Sequence, residues 1–418
     1  MSELEGGKRI ARAETAAFSS DLTAGALLAL VASGRARSRS ELIEALGWSR
    51  ATVMQRLAVL LSSGLIDEAA ETVPSGGRPA RVLRMNVAFG VVLAADVGEK
   101  SITLAVTDLS PRVLAKTRLT QDVGAGPTAI LDAVASGFAR LLSEVGRAPD
   151  EVVGIGFSLP APVDVAAGRV MGPSVMQGWD DFDIRAWMAS HFDAPVFVEN
   201  DVNVMTLAEA RRFWPDVAQL FYVKVGTGIG SGIVADGRIY RGAQGAAGDI
   251  GHVQMSGSNG PLCRCGKLGC VEASASGWAI ARDLRALGLT VDDARGVVAL
   301  VNAHQPNAIG LVRGAGRIVG EVLASVVSVL NPSVIVVGGA LSGAGEHLLS
   351  GVRELVYQRS LPLATRDLVI AAARSGNDVN IIGAATLVIE ASMHPGAVDR
   401  VIARHARDPN HSGIASPG

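Results

Sequence analysis

A pattern of three short strands, set apart by glycine or polar turns, occurs twice in this chain. The first copy reads Val91–Val97, Ser101–Asp108 and Val113–Leu119; the second reads Leu220–Val225, Gly230–Ala235 and Arg238–Tyr240. After the first copy the spacing predicts a helix over Pro127–Val145, a buried strand at Val152–Ser158, a strand at Pro195–Val198 and a helix over Val202–Arg212. After the second it predicts a long helix near Ala308–Leu330, an apolar strand at Ser333–Val337 and a final helix at Asn380–Ser392. Such a duplication implies an α/β architecture of two lobes with a cleft between them. The length, 418 residues, allows two or three domains. With 49% hydrophobic and 19% charged residues the bulk of the chain is expected to fold compactly.

The segment ahead of the repeat has a different pattern. Three short helices are expected, near Leu22–Val31, over Ser40–Leu46 with Ser40 as N-cap, and from Ser49 as N-cap onward. In the third, Val53, Leu57, Leu60 and Leu61 form one buried stripe, while Arg50, Thr52, Gln55 and Arg56 point the other way. The Gly47 turn between the last two helices reads as a helix-turn-helix. Leu65–Asp67 and Ala80–Met85 then read as a hairpin, or wing, whose tip carries Arg78. Between Gly34 and Asn86 eight arginines face five acids, in a chain of net charge −2. That local sign suits phosphate contacts. The domain limits are expected at 1–19 for an N-terminal tail, 20–86 for the winged head, 87–393 for the two-lobed domain and 394–418 for a disordered tail. No apolar run is long enough to span a bilayer and the N-terminus lacks an export signal, which points to a cytoplasmic protein with no membrane partner.

All three cysteines, Cys263, Cys265 and Cys270, fall within eight residues, shortly after His252. One His and three Cys are the four soft ligands of a closed, structural zinc site; the alternative is three reduced thiols with an unrelated His. Two Gly-rich turns are candidates for holding phosphate through backbone N–H groups. One runs from Asp96 through Gly98 to Lys100; the other contains Gly226, Thr227, Gly228 and Gly230. Carboxylates and amides gather at strand ends: Glu199, Asn200, Asp201, Asn203, Asp249 and Glu272. They could bind vicinal hydroxyls, and one could deprotonate an alcohol. Taken alone, Asp201 is equally a helix N-cap ahead of Val202.

From about residue 20 to 390 the chain resembles the ROK family (repressors, open reading frames, sugar kinases), in its subset with an N-terminal winged helix-turn-helix. The resemblance rests on Gly226–Gly232, on Gly242–His252, on the Cys-x-Cys-Gly-x-x-Gly-Cys segment followed by Glu272, and on Glu199–Asn203. It implies an actin-like, two-lobed sugar-kinase fold of duplicated ribonuclease-H-like units, a structural zinc, and a homodimer or tetramer. It also implies that Asn200, Asp201, Asp249, His252 and Glu272 bind sugar, with Asp201 at the catalytic base of a kinase and His252 doubling as a zinc ligand.

Family kinases read Asp-x-Gly-Gly-Thr at the first phosphate turn; here Asp96 and Gly98 are followed by Glu99 and Lys100. A carboxylate beside ATP phosphates costs on the order of 3 kcal/mol per charge pair at about 5 Å and an effective dielectric near 20. ATP and Mg²⁺ are therefore disfavoured as cofactors. The leading expectation is a sugar-responsive regulator, most often a repressor. In it Ser49, Arg50, Thr52, Gln55, Arg56 and Arg78 meet double-stranded operator DNA, and a sugar acts as effector. The alternative is an ATP-dependent sugar kinase with an appended DNA-binding head, in which Asp96 sits near the magnesium.

Overall fold

The computed structural model describes residues 23–73, 80–172, 176–255 and 260–399. The head consists of α1 (Ala24–Ala32), α2 (Arg39–Leu46) and α3 (Arg50–Ser62), followed by the antiparallel strands β1 (Ile66–Val73) and β2 (Ala80–Met85). Thr23 and Ser49 cap α1 and α3 as N-terminal hydroxyls. The cap of α2 is Ser38, two residues before the expected Ser40. Its hydroxyl accepts from the Glu41 N–H while Glu41 reaches back to the Ser38 N–H, so the capping box outbids the later serine. Gly47 ends α2 at φ 64°, a left-handed conformation that glycine adopts without strain. Val53, Leu57 and Leu60 are fully buried in the head's core and Leu61 packs at its edge. Arg78 and the wing tip lie outside the described residues.

The first lobe holds β3 (Val91–Val97), β4 (Ser101–Thr107), β5 (Val113–Thr120), α4 (Pro127–Glu144), β6 (Val152–Leu159), the small hairpin β7 (Val163–Asp164) with β8 (Arg169–Val170), α5 (Ile184–Ala189) and β9 (Val196–Asn200). Then come α6 (Asp201–Phe213), β10 (Leu220–Val225), β11 (Ile229–Ala235), β12 (Arg238–Ile239), α7 (Val271–Ala275), α8 (Gly277–Ala286), α9 (Ala294–Asn302), α10 (Pro306–Leu330), β13 (Val334–Gly338), α11 (Glu346–Arg359), α12 (Pro362–Thr365), β14 (Val369–Ala372) and α13 (Val379–Ser392). The two large sheets have orders β5-β4-β3-β6-β9 and β12-β11-β10-β13-β14. In each, three antiparallel strands are followed by two parallel ones. The duplication expected from the strand pattern is thus a duplication of topology.

The helices that close the two units are exchanged. α6 follows the first sheet but packs against Leu220, Tyr222 and Val234 of the second. α13 follows the second sheet, and its Ile381, Ala384 and Val388 pack against Ala94, Ala105 and Val92 of the first. The two helices cross closely at Gly383, where a Cβ would lie 2.1 Å from the Val204 carbonyl oxygen. Only glycine fits there.

Residues 395–399, expected in a disordered tail, are helical. Val398 is 1% exposed and belongs to the head's core with Leu27, Leu28 and Leu57, and the Gly25 N–H donates to Asp399 Oδ1 at 3.3 Å. Burial of this one apolar side chain outweighs the lack of periodicity that pointed to disorder. Met85, Phe89 and Met393 pack against both the head's core and the first lobe's. Among the described residues no helix is long and apolar enough to cross a membrane.

Candidate functional site

The end of β9 and the start of α6 build the floor of the cleft. Asn200 is the N-cap of α6, accepting from the Val202 and Asn203 N–H groups, and its amide donates to the Ala161 carbonyl at 3.0 Å. Asp201 is therefore the first helical residue and not the cap, which corrects the simpler of its two sequence readings. Glu199, 2% exposed, accepts from the Asn203 amide at 3.0 Å and from Arg241 Nε at 2.6 Å. This pair of a buried acid and a half-buried arginine fixes the strand end that presents Asn200 and Asp201.

Asp201, 8% exposed, is held by an ion pair to Lys224 Nζ at 2.5 Å. Burial acts to lower Lys224, but Asp201, Asp96 and Glu99 outweigh it and hold the ammonium above its usual value. In the first lobe Asp96 accepts from Ser158 Oγ at 3.0 Å and from Asn380 Nδ2 at 2.6 Å. Burial pushes its carboxyl upward against those two bonds. The structure thus brings Asp96, Asp201 and the end of β10 together.

Glu272, on α7, joins the metal loop to the second Gly turn: its Oε2 accepts from the Ile229 N–H at 3.0 Å and its Oε1 from Trp278 Nε1 at 3.4 Å. In that turn the Gly226 N–H is spent on the Gly228 carbonyl at 2.9 Å, and the Gly226 carbonyl accepts from Gly277 at 2.7 Å. Thr227 accepts through its carbonyl from Trp278, and Gly230 pairs with Lys224 across β10 and β11. In the first turn the Gly98 N–H goes to Ser101 at 2.9 Å, and Glu99 faces Arg264 at 4.0 Å. One N–H of each Gly turn is thus used within the turn, and Glu99 has a cation nearby. A carboxylate at Glu99 disfavours phosphate beside the first turn. Asp249 is exposed and makes no hydrogen bond or ion pair among the described residues.

His252, Cys263, Cys265 and Cys270 converge, with their ligand atoms all within 4.8 Å of one another. Cys263 Sγ is 3.6 Å from His252 Nδ1, and Cys265 Sγ is 3.6 Å from Cys270 Sγ. Tetrahedral zinc with Zn–S near 2.3 Å puts ligand sulfurs about 3.8 Å apart, and sulfur and nitrogen slightly closer, so the cluster fits a metal ion. Gly266 and Gly269 have positive φ and wrap the loop. Burial pushes the Cys270 thiol up to about 12, whereas the Lys267 backbone N–H lowers Cys265.

On the head, Ser49, Arg50 and Gln55 are exposed, and Thr52 and Arg56 are half-buried. Ser49 is engaged as a cap, its hydroxyl 2.8 Å from that of Thr52, and the Arg56 Nε is buried without a partner among the described residues. Arg39 and Arg81 both pair with Glu68, whose one charge balances one of them.

Lys224, Arg264, Arg241 and Asn380 escaped the sequence reading. A lysine inside the otherwise apolar Leu-Phe-Tyr-Val-Lys-Val run of β10 was the visible signal.

The helix-turn-helix domain pattern matches residues 20–69, and the ROK family pattern matches residues 92–391. A xylose repressor of Bacillus spizizenii is 25% identical over 355 residues, 84% of this chain and 91% of that one. A glucokinase of Halalkalibacterium halodurans is 30% identical over 309 residues, 70% of this chain and 93% of the enzyme. Among solved structures, a ROK family transcriptional regulator, a homologue of the E. coli MLC protein, superposes with a TM-score of 0.78 at 26% identity, over 91% of this chain and 98% of that one. A match of that breadth has to include residues of the head. The two-lobed sugar-kinase-like architecture, the family pattern spanning nearly all of it and the helix-turn-helix domain in front make this chain a member of the ROK family.

Proposed function

We propose that the chain is a sugar-responsive DNA-binding transcriptional regulator, a repressor acting in the cytoplasm, whose two-lobed domain holds a sugar or sugar derivative as effector. The observation that carries this reading is the shared packing of head and lobe. Met85, Phe89 and Met393 pack against both cores, so a change in the lobes can reach the head's packing through them. Asn200, Asp201, Asp249, His252 and Glu272 are the sugar-binding set. With His252 Nδ1 beside Cys263, zinc held by His252, Cys263, Cys265 and Cys270 leaves the other ring nitrogen for a hydroxyl. The closed ligand set makes the zinc structural.

The N-terminal face of α3 enters the major groove, with Arg50, Thr52, Gln55 and Arg56 as contacts; Ser49 caps the helix there and Arg78 on the wing reaches the backbone. A homodimer, or a tetramer built from it, sets two such helices on a palindromic site. Sugar binding favours one lobe arrangement and misaligns the two heads. Phosphoryl transfer is not part of this reading, because the Lys224 ammonium occupies the carboxylate that would act as base.

The test is a screen of thermal stabilisation by xylose, glucose and N-acetylated amino sugars, followed by operator titration with each sugar that binds. Operator affinity falls with at least one of them. Equal affinity with and without every binding sugar removes the proposal, and turnover of ATP replaces it with the kinase reading.

A further inference from the structure

Side chains on β10 alternate between two cores. Phe221, Val223 and Val225 face one; Leu220 and Tyr222 face the other, against α6. The same period of two puts Lys224 on the α6 side. Its in-register neighbours on β11 and β13 are Gly230 and Gly338, which have no side chains, and a Cβ at Gly226 would lie 3.6 Å from its Cε. The lysine stem lies along a slot of glycine backbone and delivers the ammonium to Asp201 at 2.5 Å.

Asp96 closes the same space from the first lobe. Both of its hydrogen bonds fall on Oδ1, and none among the described residues reaches Oδ2. Two carboxylates brought together from two lobes repel unless a cation lies with them. Glu99 adds a third acid, with Arg264 of the cysteine loop 4.0 Å away. Asp201 and Glu99 thus each have a basic side chain of the protein itself within 4.0 Å.

We propose that Lys224, paired with Asp201, is a tethered counter-cation that also balances Asp96 where phosphoryl transfer on this fold needs a divalent ion, so that the cleft is suited to an uncharged sugar with neither metal nor nucleotide. A lysine ammonium suits the task, being a compact charge with three donors. Its covalent attachment makes the balance independent of metal supply. The purpose assigned to Lys224 rests on the sugar-sensor reading, but its test contains no sugar and no DNA, so either can fail alone.

The experiment titrates Mn²⁺, which prefers oxygen ligands to the thiolates of the Cys/His cluster, into the full chain and reads bound ion by electron paramagnetic resonance. Wild type, Lys224→Met and Lys224→Gln are compared, each with and without Asp96→Asn. The expected result is a Mn²⁺ site in both Lys224 variants at least about tenfold tighter than in wild type, lost on adding Asp96→Asn. Two polarities of substitution guard against one variant misfolding, and thermal melting verifies each. Wild type that binds Mn²⁺ as tightly as the variants, through Asp96, overturns the proposal. So does the absence of a Mn²⁺ site in folded Lys224→Met and Lys224→Gln.

Discussion

Cys263 Sγ lies 3.6 Å from His252 Nδ1, which ties the loop that carries the thiols to the short helical turn that follows Asp249. If one zinc ion sits there, Cys265→Ser lowers the metal content of the purified protein. It also reduces the sugar response more than operator affinity, because Glu272 and the second Gly turn adjoin the loop and the head does not. Elemental analysis alongside the two titrations checks this; wild-type protein without zinc refutes it.

Asp201→Asn removes a charged acceptor from the cleft. Loss of one charge-assisted hydrogen bond is worth about 1.5–3 kcal/mol, or roughly 10- to 100-fold in affinity. Calorimetry with the sugar found by screening is expected to show that loss, with sugar-free operator binding unchanged.

Arg56 is half-buried on α3, and its Nε is buried without a partner among the described residues. Arg56→Ala is expected to weaken operator binding by about 1–3 kcal/mol if the residue reads a base. Fluorescence anisotropy on wild-type and shuffled operators measures both affinity and specificity, and unchanged binding strikes Arg56 from the contacts.

Val398 is 1% exposed in the head's core. Val398→Ala is expected to destabilise the head by about 1–3 kcal/mol, and ending the chain before Pro395 by more. Hydrogen exchange of α1 amides reads the effect, and equal protection in the truncated chain counts against a stabilising role for the segment.

Lys224 titrates above its ordinary value of 10.5 because Asp201, Asp96 and Glu99 outweigh burial. A cation raised in the folded state contributes stability that is full below the unfolded value and is lost as pH climbs through the folded one. Denaturant unfolding above about pH 10.5 should therefore show wild type losing more stability than Lys224→Met. Parallel losses would contradict the pairing.

The duplicated strands and the long helices were legible because period-two and helical patterns persist over many residues; β10 and α13 fall within a residue of their expected bounds. Short elements were not. α7 has five residues and β14 four, too few for a period to show. The metal cluster could be read because the chain holds no other cysteine. Lys224 could not, since its partner lies 23 residues upstream and the two meet only after α6 has packed on the second sheet. The pairing of Glu68 with Arg39 and Arg81 was hidden for the same reason, since it arises only once the hairpin has formed.

The exchange of α6 and α13 between the sheets has a mechanical result. Each lobe carries the other's closing helix, so the lobes cannot hinge without shearing one helix over the other at Gly383. α13 has 14 residues, a rod of about 21 Å. One end holds Asn380 on Asp96, and past the other end the chain runs on to Asp399 at Gly25. On the proposed regulation, slippage at the crossing would travel along that rod towards the head, and a ligand would act there without touching DNA-facing residues.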